Sequence, residues 1–436
     1  MKLAWYTPYA LPSAVGRYSA LVVAELARQG IDVVVVRSEV PTADLLRAGA
    51  HPAPGPVCWA ADGGACAETA DLVVHNIGDH HGNHFHSFDG LRRRPGIVVL
   101  HDVSLHGALF GLASAGGAAA PDYETVLRAE CGDGALRRYR ALREALPRAW
   151  WCDAVADHPV LRFALRDALG IVTHSRYAAG IVAPRVAAPL TTIPLAYDGP
   201  QLTLPPPRLA TPLRLLTIGN VNPNKRVGAV VAALAGDAVL AARCDYRVVG
   251  VIEDAVRAEI VAHSAAAGLA VMVTGPVDAA ALAAELAAAD VVICLRRPSL
   301  EGASASVIEG MLSGRPVIVS DTGCFAEIPG ALVAKVAPGR EVTDLRRALH
   351  AILAAPEGAR ARGAAARAWA LEHHAPAAYA RRFLDFCTTV RDAAGLLHTV
   401  DRIAERLAGW GVAPDGAFAE RIDSVLAGLF GARRAA

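Results

Sequence analysis

Two series of short apolar runs, separated by a proline-rich break, constrain the fold of this chain more than any other feature. The first series is Lys2–Tyr6, Ile31–Arg37, Leu72–Asn76, Ile97–His101 and Ile171–His174, with helical spacing over Gly16–Arg28 between its first two members. Apolar runs this short, alternating with amphipathic segments, read as parallel strands buried on both faces. The second series is Leu213–Ile218, Tyr246–Val251, Val271–Thr274, Val291–Leu295 and Pro316–Ser320. Between them lies GPQLTLPPPRLATP, whose three consecutive prolines fit neither a helix interior nor a central strand and predict a semi-rigid linker. Each series predicts a doubly wound α/β domain. Two such domains enclose a cleft, with ligands at the carboxyl ends of the strands. The expected division is residues 1–199, a linker at 200–212, a second domain at 213–376 and helices over 377–436, with a helix at Ala377–Val390 and a further helical pair within Ala393–Phe430.

Composition narrows the function. Apolar residues make up 53% and charged residues 19%, so most of the chain is expected in buried core, and a net charge of +1 gives no footprint for nucleic acid. The eight cysteines form no C-x-x-C pair, which suits reduced thiols in a cytosolic setting and argues against zinc. The amino terminus lacks a continuous apolar signal-like run, and no run reaches membrane-spanning length without charge or proline. Peripheral contact with a membrane stays open. Only three lysines, Lys2, Lys225 and Lys335, stand against forty arginines.

The stretch EGASASVIEGMLSGRPVIVSDTG, Glu301–Gly323, carries the most specific chemistry. A Gly/Ala/Ser run opening a helix leaves backbone N–H groups bare and makes an anion site. The two carboxylates beside it, Glu301 and Glu309, repel phosphate and suit neutral hydroxyls. Phosphates flanked by hydroxylated rings satisfy both demands, and that ligand is a nucleotide sugar.

This stretch resembles the signature of retaining glycosyltransferases of family 4, which reads roughly E-G-x-x-x-S-x-x-E-A-M-x-x-G-x-P-V-I; Gly310 stands where the family usually has Ala. The resemblance, over about residues 1–390, implies a GT-B fold: two Rossmann-like domains facing across a cleft, with a C-terminal helix crossing back to the first. It also implies transfer of a sugar, with retention, from a nucleotide diphosphate sugar to a hydroxyl of a glycan, lipid-linked or small-molecule acceptor, without a metal or other cofactor. In IGNVNPNKRVGAVV, the family pattern G-R-x-x-x-x-K-G is kept at Gly219 and Lys225, while Asn220 replaces the Arg and Arg226 the Gly. Lys225 and Arg226 are expected on the diphosphate, beside the amides of Ala303, Ser304, Ala305 and Ser306 after Gly302. Glu309 is expected on the ribose and Glu301 on the transferred sugar.

Other positions follow the same resemblance. Gly16, at the turn into the first helix, is expected to let the backbone approach the donor. His101, followed by Asp102 at a strand end, is expected to contact the donor sugar near the reaction centre, with His106 on the next helix. Gly275, Pro276 and Val277 are expected to meet the base through backbone groups, which leaves UDP, GDP, dTDP and ADP open. The histidines of HNIGDHHGNHFHSF (His75, His80, His81, His84, His86) read as an acceptor-side loop rather than a metal site. Leu136–Trp151, with Arg137, Arg138, Arg140, Arg143 and Arg148, reads either as a solvated amphipathic helix or as a surface for an anionic membrane or acceptor. A GT-B-shaped binding or scaffold protein and a nucleotide-sugar epimerase are the alternative readings.

Overall fold

Short, largely apolar segments become strands, and thirteen strands assort into two parallel sheets in a computed structural model. The structure describes residues 1–116, 121–145, 157–198, 206–209 and 211–411, without the side chains of 144–145, 394–402, 404–405 and 408. The described residues fall into two compact units, Met1–Asp385 and a second beginning at Phe386.

Both sheets lie in the first unit. One contains β1 (Lys2–Thr7), β2 (Asp32–Arg37), β3 (Val57–Trp59), β4 (Leu72–Ile77), β5 (Ile97–Leu100), β6 (Gly170–Thr173) and β7 (Leu190–Thr192), in the order β3-β2-β1-β4-β5-β6-β7. The other contains β8 (Leu213–Ile218), β9 (Cys244–Val249), β10 (Val271–Gly275), β11 (Val291–Cys294), β12 (Val317–Ser320) and β13 (Ala334–Val336), in the order β10-β9-β8-β11-β12-β13. All strand pairs are parallel, with Leu3 opposite Leu72, Val74 opposite Ile97 and Leu215 opposite Val291. The strand order reverses direction between β1 and β4, and again between β8 and β11; a crevice opens at the carboxyl end of such a reversal. The ten expected strands are present with ends shifted by at most two residues. The three missed, β3, β7 and β13, are three-residue edge strands whose pairing depends on a neighbour rather than on their own apolar pattern.

The C-terminal helix expected to cross back to the first domain begins at Pro376. Its first turns carry Tyr379 and Phe383 onto the first sheet: Tyr379 shares a hydroxyl hydrogen bond with Tyr18, and Phe383 meets the Trp5 ring edge-on at 5.3 Å. Arg382 donates to the Thr192 carbonyl at 2.6 Å. The helix runs to Gly409 without the expected break near residues 390–393, because Arg391, Asp392 and Ala393 are compatible with a helix and a lone Gly395 costs only about 1 kcal/mol. The second half of the further helical pair expected up to Phe430 lies outside the described residues, as does most of the proline-rich linker.

Two other expectations change. Cys58 and Cys66 are joined as a disulfide, against the reading of eight reduced thiols; β3 and the turn after Gly64 bring their Cα atoms to 6.7 Å, a proximity that no C-x-x-C search detects. The arginine-rich segment belongs to a helix over Tyr123–Ala145, broken at Gly132 (φ 81°). Leu136 and Tyr139 pack on Tyr123, Leu127 and Leu109, while Arg137, Arg138, Arg140 and Arg143 are exposed. That is an amphipathic helix with its apolar stripe in the core; residues 146–151 lie outside the described residues. No helix among the described residues is long and apolar enough to cross a membrane.

Candidate active site

The carboxyl end of β8 is built from glycines because two strand ends abut there. Gly219 (φ 97°) donates to the Val249 carbonyl, and a Cβ on Gly250 would stand 2.0 Å from the Gly219 carbonyl oxygen. A Cβ on Gly219 itself would lie 2.9 Å from Ser306 Oγ and 3.0 Å from Lys225 Nζ. The glycine therefore keeps open a point on which a hydroxyl and an amine converge.

Lys225 reaches this point because the turn Pro223–Lys225 folds its stem under the strand, where Nζ donates to the Ile218 carbonyl at 2.5 Å. The side chain is buried, and burial pushes its pKa down to about 7, helped by the Arg296 guanidinium and opposed by Cys294 and Glu301. Arg226, by contrast, occupies the left-handed region (φ 54°) and turns towards Glu341, with Nε 3.8 Å from Oε1. It lines a separate cavity with Asn222, Val227, Glu259 and His263. Asn220 is exposed on the same loop.

The cation buried alongside Lys225 is Arg296, two residues beyond β11, which the sequence reading missed. Its Nε lies 2.7 Å from Glu301 Oε1, and its Nη1 donates to the Leu295 carbonyl at 2.8 Å. The signal available in the sequence was an arginine directly after a wholly apolar strand, at the edge where ligands bind. Glu301 keeps about a quarter of its side chain exposed. Gly302, Ala303 and Ser304 lead into the helix Ala305–Leu312, and Ser306 donates from its second position to the Ile218 carbonyl at 3.3 Å. The helix start thus stands over the end of β8, and the buried Ser304 hydroxyl has no protein partner.

Glu309, further along the helix, faces the first sheet's half. Tyr197 donates to one of its oxygens at 3.2 Å, and Arg17 approaches the other at 3.4 Å. Arg17 also pairs with Asp198 at 3.3 Å and lies over the Tyr197 ring. Burial raises the Glu309 pKa against the lowering effect of Arg17. The adjacent Gly16 serves its own turn: its amide donates to the capping Ser13 Oγ at 3.0 Å, and a Cβ there would meet the Pro8 carbonyl at 3.0 Å and the His51 ring at 3.1 Å.

Across the crevice, the loop after β5 meets the loop after β11 backbone to backbone. Gly302 donates to the His101 carbonyl at 2.7 Å, Val103 donates to the Leu300 carbonyl at 2.8 Å, and Asp102 bridges to Glu301. A Cβ on Gly302 would lie 3.1 Å from the His101 oxygen, so any side chain there would crowd this seam. Ser175 donates to the Gly302 carbonyl at 2.6 Å and Tyr177 to the Ser299 carbonyl at 2.9 Å. The chain thereby brings His101, Asp102, Glu301 and Gly302 to one seam, linked through Arg296 to Lys225, Gly219 and Ser306.

His101 is held by Asn76 at 3.0 Å and His174 at 3.3 Å, and burial lowers its pKa well below the ordinary imidazole value. Burial raises the Asp102 carboxyl to about 7, with Glu301 adding to the rise and the Asp79 N–H opposing it. His106 is buried on the next helix, between the Tyr123 hydroxyl at 2.7 Å and the His158 carbonyl at 2.8 Å. Of the other histidines, His75 contacts the Arg94 carbonyl, His84 the Asn76 carbonyl, and His80 caps its helix through Asn83. No three His, Cys, Asp or Glu side chains among the described residues are grouped to hold a metal. Gly275 (φ 83°) ends β10 and accepts from Gly250 at 2.9 Å, with Val277 partly exposed on the loop beyond.

Residues 212–355 match the family described as Glycosyl transferases group 1. Among solved structures, sucrose-phosphate synthase from Thermosynechococcus elongatus is similar at 19% identity with a TM-score of 0.60, covering 90% of this chain and 100% of that one. HepE from Anabaena, in a complex with UDP and glucose, is similar at 16% identity and a TM-score of 0.60, covering 89% of this chain and 99% of that one. WaaG, a glycosyltransferase involved in lipopolysaccharide biosynthesis, is similar at 17% identity and a TM-score of 0.53, covering 84% and 95%. The fold is that of GT-B glycosyltransferases. No curated protein sequence matches the chain significantly.

Proposed function

We propose that this chain, whose residues 212–355 form a group 1 glycosyltransferase domain, transfers a sugar with retention from a nucleotide diphosphate sugar to an acceptor hydroxyl. The observation that carries the reading is the convergence of the Lys225 amine and the Ser306 hydroxyl on Gly219, under a helix start and beside the Arg296–Glu301 pair. Donors on that pattern suit an anion, and Glu301 next to them suits a sugar hydroxyl. Asp102 and His101 lie across the seam, where the acceptor hydroxyl would meet the anomeric carbon.

In this mechanism the bond from the anomeric carbon to the diphosphate oxygen breaks, and negative charge grows on the leaving group. Lys225 and the amides of Ala303 to Ser306 tighten on it, joined by the Ser306 hydroxyl once it turns from the Ile218 carbonyl; Arg296 adds positive field and holds the Glu301 carboxylate for the sugar. One such donor lowers the barrier by about 2.7–4 kcal/mol in comparable sites. The acceptor oxygen enters on the face the diphosphate leaves, and its proton passes to a leaving phosphate oxygen. His101, whose two ring nitrogens are held by Asn76 and His174, would border the sugar without attacking it. Arg226 and Gly275–Val277 would border the nucleotide, while Glu309, tied to Arg17 and Tyr197 here, would turn one oxygen to the ribose. The acceptor is a glycan, a lipid-linked sugar or a small molecule.

Thermal unfolding with UDP, GDP, dTDP and ADP sugars tests the reading. A donor at about 100 times its Kd adds about 2.7 kcal/mol. One donor should stabilise the wild type and fail with Lys225→Ala; HepE, solved with UDP-glucose, makes uridine donors the first choice. No stabilisation by any of them, with no sugar transfer, would favour a non-catalytic scaffold. Since Lys225 and Arg296 supply the positive charge in this reading, activity should survive EDTA unchanged.

A further inference from the structure

Three contacts run in series across the ends of β4, β5 and β6, and they require more protons than two neutral imidazoles carry. Asn76 turns its Nδ2 to donate to the Tyr6 carbonyl at 2.9 Å, which aims its Oδ1 at His101 Nε2, 3.0 Å away. That contact needs a proton on Nε2. At the other end, His174 Nδ1 lies 3.0 Å from the Ile193 carbonyl and needs a proton there. Between them, His101 Nδ1 and His174 Nε2 face each other at 3.3 Å. A neutral imidazole carries one N–H, so two rings bring two protons to three contacts. Changing tautomer only moves the facing lone pairs to the Asn76 or Ile193 end. One additional proton satisfies all three.

The surroundings decide when that proton arrives. Tyr18 packs edge-to-face with both rings, centroids 5.1 and 5.5 Å apart, and Tyr379 approaches His174 at 6.2 Å. His84 and His374 are the neighbouring imidazoles, and Asp102 with Glu301 lies along the seam beside His101. Burial lowers His174 to about 4 and His101 well below its usual value, so the empty site lacks the third proton at neutral pH.

We propose that His101 and His174 act as one unit that takes up a single shared proton when an anionic diphosphate enters the cleft, which makes His174 a positioning residue acting through His101. The identity of the anion rests on the glycosyl-transfer reading; the proton count does not. The arriving negative charge offsets the desolvation of an imidazolium, and the proton comes from solvent with no donor bond broken. The bound state then has the higher pKa, so binding is tightest at low pH and weakens as pH rises.

Calorimetry of UDP-glucose binding in two buffers of different ionisation heat measures the uptake. Lys225 also gains charge on binding, so the readout is the difference between wild type and His174→Gln, both with Lys225 intact. Wild type should take up a large fraction of a proton more, and equal uptake would overturn the proposal. If UDP-glucose does not bind, the choice of donor in the transferase reading fails, and the free protein decides the proton count. With nitrogen-15-labelled histidine, His101 and His174 should gain their first proton together on acid titration, both rings shifting at one midpoint. Two rings that each gain a whole proton at independent midpoints, unaffected by substitution of the other, would sink the idea.

Discussion

Lys225 meets two opposed demands. The empty protein buries its amine, and burial holds the pKa near 7. The diphosphate of the proposed donor would need the charged form. The unfolded chain, with an ordinary lysine pKa of about 10.4, binds the proton more tightly, so stability of the empty protein should rise with pH between about 7 and 10. Donor affinity should move oppositely and fall above pH 7. Lys225→Met removes the desolvation cost, so its melting temperature without ligand should equal or exceed that of wild type while the response to donor disappears. Gly219→Ala puts a methyl within 3.0 Å of both Ser306 Oγ and Lys225 Nζ at φ 97°. Donor binding should fall at least tenfold there, measured by titration calorimetry.

At the scale of elements, the helix beginning at Pro376 is held to the first sheet by two aromatic contacts. Phe383 is fully buried against Trp5, and Phe383→Ala should cost about 3–5 kcal/mol in denaturant unfolding. Tyr18→Phe removes one buried hydrogen bond to Tyr379 and should cost about 1 kcal/mol. The strands were legible because β4, β5 and β11, buried along their whole length, leave short runs dominated by Val, Ile and Leu. Three-residue β3, β7 and β13 leave no such run, since edge strands exist by pairing with what is already there. The Glu301–Gly323 cassette was legible for a different reason: loop, helix and strand stand in order within one stretch that resembles a known family signature.

At the scale of the unit holding both sheets, contacts far apart in sequence hold the two halves of the site together. Arg17 and Tyr197 on one half meet Glu309 on the other, and Glu327 accepts the amides of Arg176 and Tyr177. Arg17→Ala leaves Glu309 buried with Tyr197 as its remaining named donor, and should cost about 1–3 kcal/mol by thermal unfolding. What the sequence determined by itself is everything with a local period or a fixed spacing: two α/β sheets, a proline break, Lys225 beside β8, and the cassette from Glu301. Tertiary structure decided which cation joins Lys225, because Arg296 and Arg226 are equally near in kind and differ only in where β11 and the left-handed turn at Arg226 aim them. It also decided the Cys58–Cys66 bond and the meeting of Asn76, His101 and His174. Those three residues end neighbouring strands yet span nearly a hundred positions, and only the order β4-β5-β6 puts them side by side.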